Sequence, residues 1–192
     1  MNAKRLFLII FFVYLFGFFA HALYLKKTVY GDGSYYYSWL QSAVVDQRLP
    51  PAQNKYAIGP ALLWSVPYVW IHTIVRGTGD ELPYQLVVGT ASVLYTLFGL
   101  VLLRLLTNNA TVLAIAFATN LLFYGSLDPV NSHGLSFFVS SLFLTFLFLR
   151  NALLAGLALG FLATIRPQDL VLGVAAFGIL RVLEAMGKEF IF

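Results

Sequence analysis

Four short polar stretches in this chain carry side chains that a greasy sequence does not call for. The first, Tyr30-Gly31-Asp32-Gly33-Ser34-Tyr35-Tyr36-Tyr37, sets one carboxylate between two glycines. Glycine on both sides frees the backbone to turn and lets a ligand come close. Asp32 could therefore take a proton from a hydroxyl or hold a divalent cation; it reads equally as a solvated turn acid at the head of the next helix. The second stretch, Asn54-Lys55-Tyr56-Ala57-Ile58-Gly59-Pro60, offers Lys55 either as a phosphate partner or as a solvated loop lysine. The third, Asp128-Pro129-Val130-Asn131-Ser132-His133, pairs Asp128 with His133. Two such groups do not make a metal site, and Asp128 or Ser132 could simply cap the helix that follows. In the fourth, Arg166-Pro167-Gln168-Asp169, Arg166 closes a short apolar run, which puts its charge at or just inside a bilayer edge. A charge held there is expensive, and a guanidinium can grip a lipid phosphate with two hydrogen bonds. The plain alternative is a pair with Asp169, or snorkelling to water. His21 and His72 read as interfacial or packing residues.

The elements that must position these residues are apolar. The chain is 60% hydrophobic, 17% aromatic and only 10% charged, against about 25% charge in a globular domain, so it reads as an integral membrane protein. Its net charge of +4 comes from basic residues placed singly or in pairs at the ends of apolar runs. Membrane topology places them so; a nucleic-acid surface would cluster them, and no nucleic-acid partner is expected. The sequence has no cysteine, which excludes disulfides and thiolate metal sites. There is no 20–50-residue repeat and no low-complexity linker. Gly156 and Gly160 form a small-xxx-small pair suited to ordinary helix packing. The expected fold is all-α: a polytopic helical membrane protein, residues 1–192 forming one transmembrane module of about six spans, with juxtamembrane helices in a long outer loop over residues 28–81.

In chain order, Lys4-Arg5 precede the apolar run Leu6–Leu25, and Lys26-Lys27 follow it. Ala20-His21-Ala22 fits a cleavage site, but the run exceeds the apolar core of a signal peptide, so it is read as a retained helix with its N-terminus inside. From Ser34, a plausible N-cap, Tyr36, Leu40, Ala43, Val44 and Gln47 recur at helical spacing until Leu49-Pro50-Pro51. The run Pro60–Arg76, with Pro67 inside it, could span or lie on the outer surface. If it lies on the surface, Leu82–Leu106 runs inward, Ala110–Tyr124 outward, Ser136–Leu149 inward, Ala152–Ile165 outward and Leu170–Leu183 inward. Arg104, Arg150, Arg181 and Lys188 then fall inside, as the positive-inside rule prefers. This layout puts both termini in the cytoplasm and brings Asp32, Lys55, Asp128, His133, Arg166 and Asp169 to one outer side.

The order of these motifs resembles the polytopic GT-C glycosyltransferases, such as lipid A aminoarabinose transferases and protein O-mannosyltransferases. The residues that carry the resemblance are Gly31-Asp32-Gly33-Ser34-Tyr35-Tyr36-Tyr37, Asn54–Pro60 with Leu63-Trp64-Ser65, Asp128-Pro129 with Ser132-His133, and Gly156–Gly160 leading to Thr164-Ile165-Arg166-Pro167-Gln168. Members are usually at least twice as long, so the chain would be the N-terminal part of such a fold. The resemblance implies a sugar transfer from a polyprenyl-phosphate-linked donor to an acceptor on the outer face of a bacterial cytoplasmic (inner) membrane. Asp32 would be the catalytic base, Lys55 and Arg166 would hold the donor phosphate, and Asp128 and His133 would shape the second outer loop, with a divalent cation possible there. The alternative is a non-enzymatic lipid-phosphate-binding or transporter-like membrane protein; a transporter should carry charges in mid-span, whereas these sit at helix ends and in loops.

Overall fold

The computed structural model describes residues 2–49, 51 and 54–185, so Pro50 and Lys188 lie outside the described residues. Among those described, the chain is helical throughout, with no strand. Its helices are α1 (Ala3–Leu25), α2 (Gly33–Leu40), α3 (Gly59–Val75), α4 (Leu82–Leu106), α5 (Asn109–Ala118), α6 (Ser132–Phe148), α7 (Ala152–Ile165) and α8 (Val171–Ala185). By length and composition two of them, α1 and α4, are long and apolar enough to cross a membrane. They are 23 and 25 residues long, or about 34 and 37 Å of helix. The expected six spans are therefore not all present as full-length helices, because α5 and α7 have only 10 and 14 residues.

The contacts explain the short lengths. α1 and α4 lie antiparallel, with Gly89 of α4 set against the Phe18 ring. At the end where α1 stops and α4 begins, Thr28 N and Val29 N both donate to Gln85 Oε1, at 2.9 and 3.2 Å. α6 runs parallel to α4 but starts beside its middle: Gly134 abuts Thr96, and Gly99 abuts Phe137 and Phe138. α6 thus covers only the C-terminal half of α4, and α7 returns antiparallel along α6, ending level with its start. Polar capping supports these short pieces, with Asn108, Asn131 and Asn151 accepting from backbone N–H groups at the heads of α5, α6 and α7. Asn131 thus takes the cap that the sequence offered to Asp128 or Ser132.

The N-terminal half of α4 is covered by α3, on which α2 packs in turn. The segment Pro60–Arg76, expected on the outer surface, packs antiparallel along α4. Trp64 Nε1 donates to Ser92 Oγ at 2.7 Å, Tyr95 OH to the Leu63 carbonyl at 3.1 Å, and His72 Nδ1 meets Tyr84 OH at 2.7 Å. Trp64 and Tyr68 are fully buried. A surface helix would leave those rings half wet; here they form the core shared with Tyr37, Val88 and Leu162. α3 begins at mid-α4 and ends beside its N-terminus. Its position therefore leaves the end of α1 and the start of α4 on the same side. α2 begins two residues earlier than the Ser34 cap suggested, with Asp32 at the cap position, and continues as a wider, π-type turn over Gln41–Val45.

Two glycines join the halves. A Cβ on Gly33 would run into the Val130 carbonyl, and one on Gly59 into the backbone of Thr164 and Ile165. Backbone cannot move aside as a flexible side chain can. Gly59→Ala should lower stability by about 1–3 kcal/mol, the usual cost of overpacking. Gly156→Ala, with open space around it, should be neutral or slightly stabilising. Thermal unfolding of both variants in the same detergent checks this contrast.

Candidate functional site

The four polar stretches meet where the two halves join. Asp32 occupies the N-cap position of α2, yet its side chain makes no capping bond; the helix head is closed instead by its backbone carbonyl, which accepts from Tyr35 N and Tyr36 N at 3.1 and 3.4 Å. The carboxylate is exposed and accepts from Tyr56 OH at 2.8 Å. Glu81 shows the opposite use of a turn acid. Its carboxylate takes the N–H groups of Thr78 and Gly79 at 2.8 and 2.9 Å, and the Thr78 N–H above all holds its pKa below the ordinary value. Asp32 is not spent on the backbone in this way.

Tyr56 is the residue that sequence reasoning missed. It stacks on Tyr35 with ring centres 4.7 Å apart and planes 4° from parallel. Its segment is clipped to α2: Trp39 Nε1 donates to the Tyr56 carbonyl at 3.0 Å, and Asn54 Nδ2 donates to the Tyr35 carbonyl at 2.6 Å and to Ser38 Oγ at 3.0 Å. Its bond to Asp32 is the main reason the Tyr56 hydroxyl holds its proton more tightly than usual. The only sequence signal was the run of aromatic residues around the acid. Lys55 is exposed, its ammonium 6.0 Å from the centre of the Tyr56 ring. It stands on the Asp32 side of the cluster, on the clip that carries Tyr56.

Across from Asp32, Arg166 caps the end of α7. Its Nε lies 3.2 Å from Asp169 Oδ2, the pair that the sequence offered as the plain alternative. Asp169 is held in turn by Ser136 Oγ, which donates to Oδ2 at 2.5 Å. With its amide turned so that the oxygen faces the guanidinium, Gln168 accepts from Nε and Nη2 at 3.2 and 3.1 Å. Nη1 rests against the imidazole of His133, touching Nδ1 and lying 3.0 Å from Nε2. Contact with both ring nitrogens at once is contact with the ring rather than one in-plane hydrogen bond. Tyr124 stacks on the same imidazole at 4.0 Å. The short α7 thus delivers a guanidinium at the level where α6 begins. Ser136 and Tyr124 carried no signal in the sequence, being single polar residues in apolar runs.

Asp128 lies between the two sides, its field felt by Tyr30 and Asp32's felt by it in turn. Its Oδ1 is buried without a hydrogen-bond partner. Burial first, and the nearby Asp32 charge last and least, raise its pKa; the Asn131 bond and His21 oppose this. Tyr30 OH and His21 Nδ1 are both within hydrogen-bond reach of the neighbouring Leu127 carbonyl, at 3.1 and 2.7 Å, and burial pushes the Tyr30 hydroxyl up to about 12. His21, read from sequence as a packing residue, therefore anchors this loop. Among the described residues no group of three or more His, Asp or Glu is arranged to hold a metal ion. Asp32, Asp128 and His133 do not form a cation site as they stand.

The cluster is thus an exposed carboxylate held by a tyrosine and a guanidinium braced by Asp169, Gln168 and His133, with His133 feeling the charge of both. It can accept a proton on one side and offer charge-assisted donors on the other. No protein-family model, no curated protein and no solved structure matches this chain.

Asp128 makes stability depend on pH with a definite sign. A carboxyl whose folded pKa is raised binds its proton more readily in the native state, so its contribution is fully present below the ordinary value of 3.8 and is lost as pH rises through the raised one. Asp128→Asn removes that loss. Melting temperatures of the two proteins should converge in acid, with the variant gaining on the wild type toward neutral pH; a constant difference would deny Asp128 this role.

Proposed function

We propose that this chain is the transmembrane module of a membrane glycosyltransferase that moves a sugar from a polyprenyl-phosphate donor to an acceptor hydroxyl. The observation that carries this reading is Asp32 itself: an acid at the head of a helix whose carboxylate makes no capping bond, is exposed and held by Tyr56, and lies near enough to His133 for its charge to be felt there. In the proposed reaction Asp32 takes the proton of the acceptor hydroxyl, whose oxygen attacks the anomeric carbon. The bond from that carbon to the phosphate oxygen breaks, and the polyprenyl phosphate leaves with the electron pair, with inversion at carbon. Arg166 and Lys55 stabilise the phosphate as its charge grows, which is where fixed donors contribute most.

The same proposal includes the membrane layout. α1 and α4 cross fully, while α5 with residues 119–127, α6, α7 and α8 supply the remaining passes from the opposite end. Both termini are cytoplasmic and the cluster faces outward. Basic residues divide evenly between the two ends in this arrangement. A layout in which α3 spans would move Arg104, Arg150, Arg181 and Lys188 outward against only Arg76 and Arg166 inward, so the positive-inside rule prefers this one of the two. The short α5–α7 are long enough to reach the level of the cluster from the cytoplasmic side, and α2 and α3 fill the space above.

Asp32→Asn should reduce sugar transfer by roughly 10²–10⁴-fold, the usual worth of a general base, while membrane insertion is unchanged. Radiolabelled transfer from polyprenyl-phosphate sugars in membranes expressing each variant measures this, and full activity in the variant rules out Asp32 as the base. Arg166→Ala should weaken binding of polyprenyl phosphate in nanodiscs by about 10- to 100-fold, the equivalent of about 1.5–3 kcal/mol for a hydrogen bond to a charged group. Unchanged binding would remove Arg166 from the donor site.

A further inference from the structure

Among the described residues the outward face of α3 is left exposed. Leu62, Val66, Val69, Trp70 and Ile74 follow one another at helical spacing on that face, with Val66 77% and Trp70 60% exposed. Between Pro60 and Val75 no residue is acidic, lysine or arginine. The one histidine, His72, is turned inward to Tyr84. The two hydroxyls beside the stripe bond back to their own helix, Ser65 Oγ to the Leu62 carbonyl and Thr73 Oγ1 to the Trp70 carbonyl, each at 2.7 Å. A helix in water has no need to satisfy its hydroxyls internally, whereas one in hydrocarbon does. The charge appears only at the end, where Arg76 caps α3 in a left-handed conformation, as Lys26 caps α1.

We propose that this face of α3 lies against lipid acyl chains, so that α3 is a half-membrane helix and the Asp32–Arg166 cluster sits inside the leaflet rather than at its surface. The partner is hydrocarbon: the stripe carries no charged residue, the hydroxyls beside it are satisfied within the helix, and α3 packs along α4, which is long and apolar enough to cross a membrane. The depth follows from the neighbours. The cluster's second loop hangs on His21, five residues or about 8 Å of helix inside Lys26. α3 meets α4 at Ser92, ten residues or about 15 Å inside Leu82. A hydrocarbon slab of about 30 Å bounded by Lys26 therefore immerses most of α3.

This inference rests on the membrane reading above, and the experiment separates the two. The chain has no cysteine, so single nitroxide labels can be placed by Val66→Cys and Ile74→Cys on α3, Phe16→Cys on the outward face of α1, and Lys55→Cys on the exposed clip. Each is reconstituted in phosphatidylethanolamine–phosphatidylglycerol vesicles, and collision rates with oxygen and with an aqueous nickel chelate are measured. The ratio of oxygen to nickel collisions should be several-fold higher at 66 and 16 than at 55, with 74 between them. A nickel-dominated label at 66 beside an oxygen-dominated label at 16 overturns the half-membrane helix and leaves the membrane reading standing. Nickel-dominated labels at both overturn both.

Discussion

Two places where backbone meets backbone hold this molecule in register. Gly33 lies on the Val130 carbonyl and Gly59 on the Thr164–Ile165 peptide, each at a distance that any side chain would prevent. Through the first contact the head of α2 is fixed to the loop before α6; through the second the head of α3 is fixed to the end of α7. Each contact lies within a few residues of a charged group of the cluster: Asp32 precedes Gly33, and Arg166 follows Ile165. The position of the charged groups is therefore set by the closest packing in the structure rather than by their own attractions, which are weak when exposed.

That arrangement also accounts for what the sequence does and does not reveal. The polar stretches stood out because they broke an apolar background, and a charge argument about Arg104 and Arg150 was enough to bring Asp32, Asp128, His133 and Arg166 to one side. The helical class was equally plain. α7 has the bounds its apolar run gave, Ala152–Ile165, whereas the apolar run Ala110–Tyr124 does not show that α5 ends at Ala118. For Pro60–Arg76 the choice between spanning and surface turned on distant basic residues, and nothing in the spacing of its own rings marks Trp64 and Tyr68 as core.

Tyr56 and Ser136 were illegible for a different reason. Each acts through one long-range hydrogen bond, 24 and 33 residues away in sequence, and a single tyrosine or serine has no spacing to betray such a partner. Asn131 shows the same limit at short range. The sequence offers Asp128 or Ser132 as the helix cap, and only the geometry of the turn selects Asn131 between them.

Asp169 gives the cluster an internal counter-ion. Braced by Ser136, it lies against Arg166 and offsets the guanidinium's charge within the same chain segment. A cation left alone in a weakly polar surrounding would oppose folding strongly; paired from within, it does not. The chain can consequently assemble this region without borrowing an anion from lipid or solution. Any anion that later docks at Arg166 arrives by exchanging places with a carboxylate, so what it gains is a difference between two pairings rather than the whole of one.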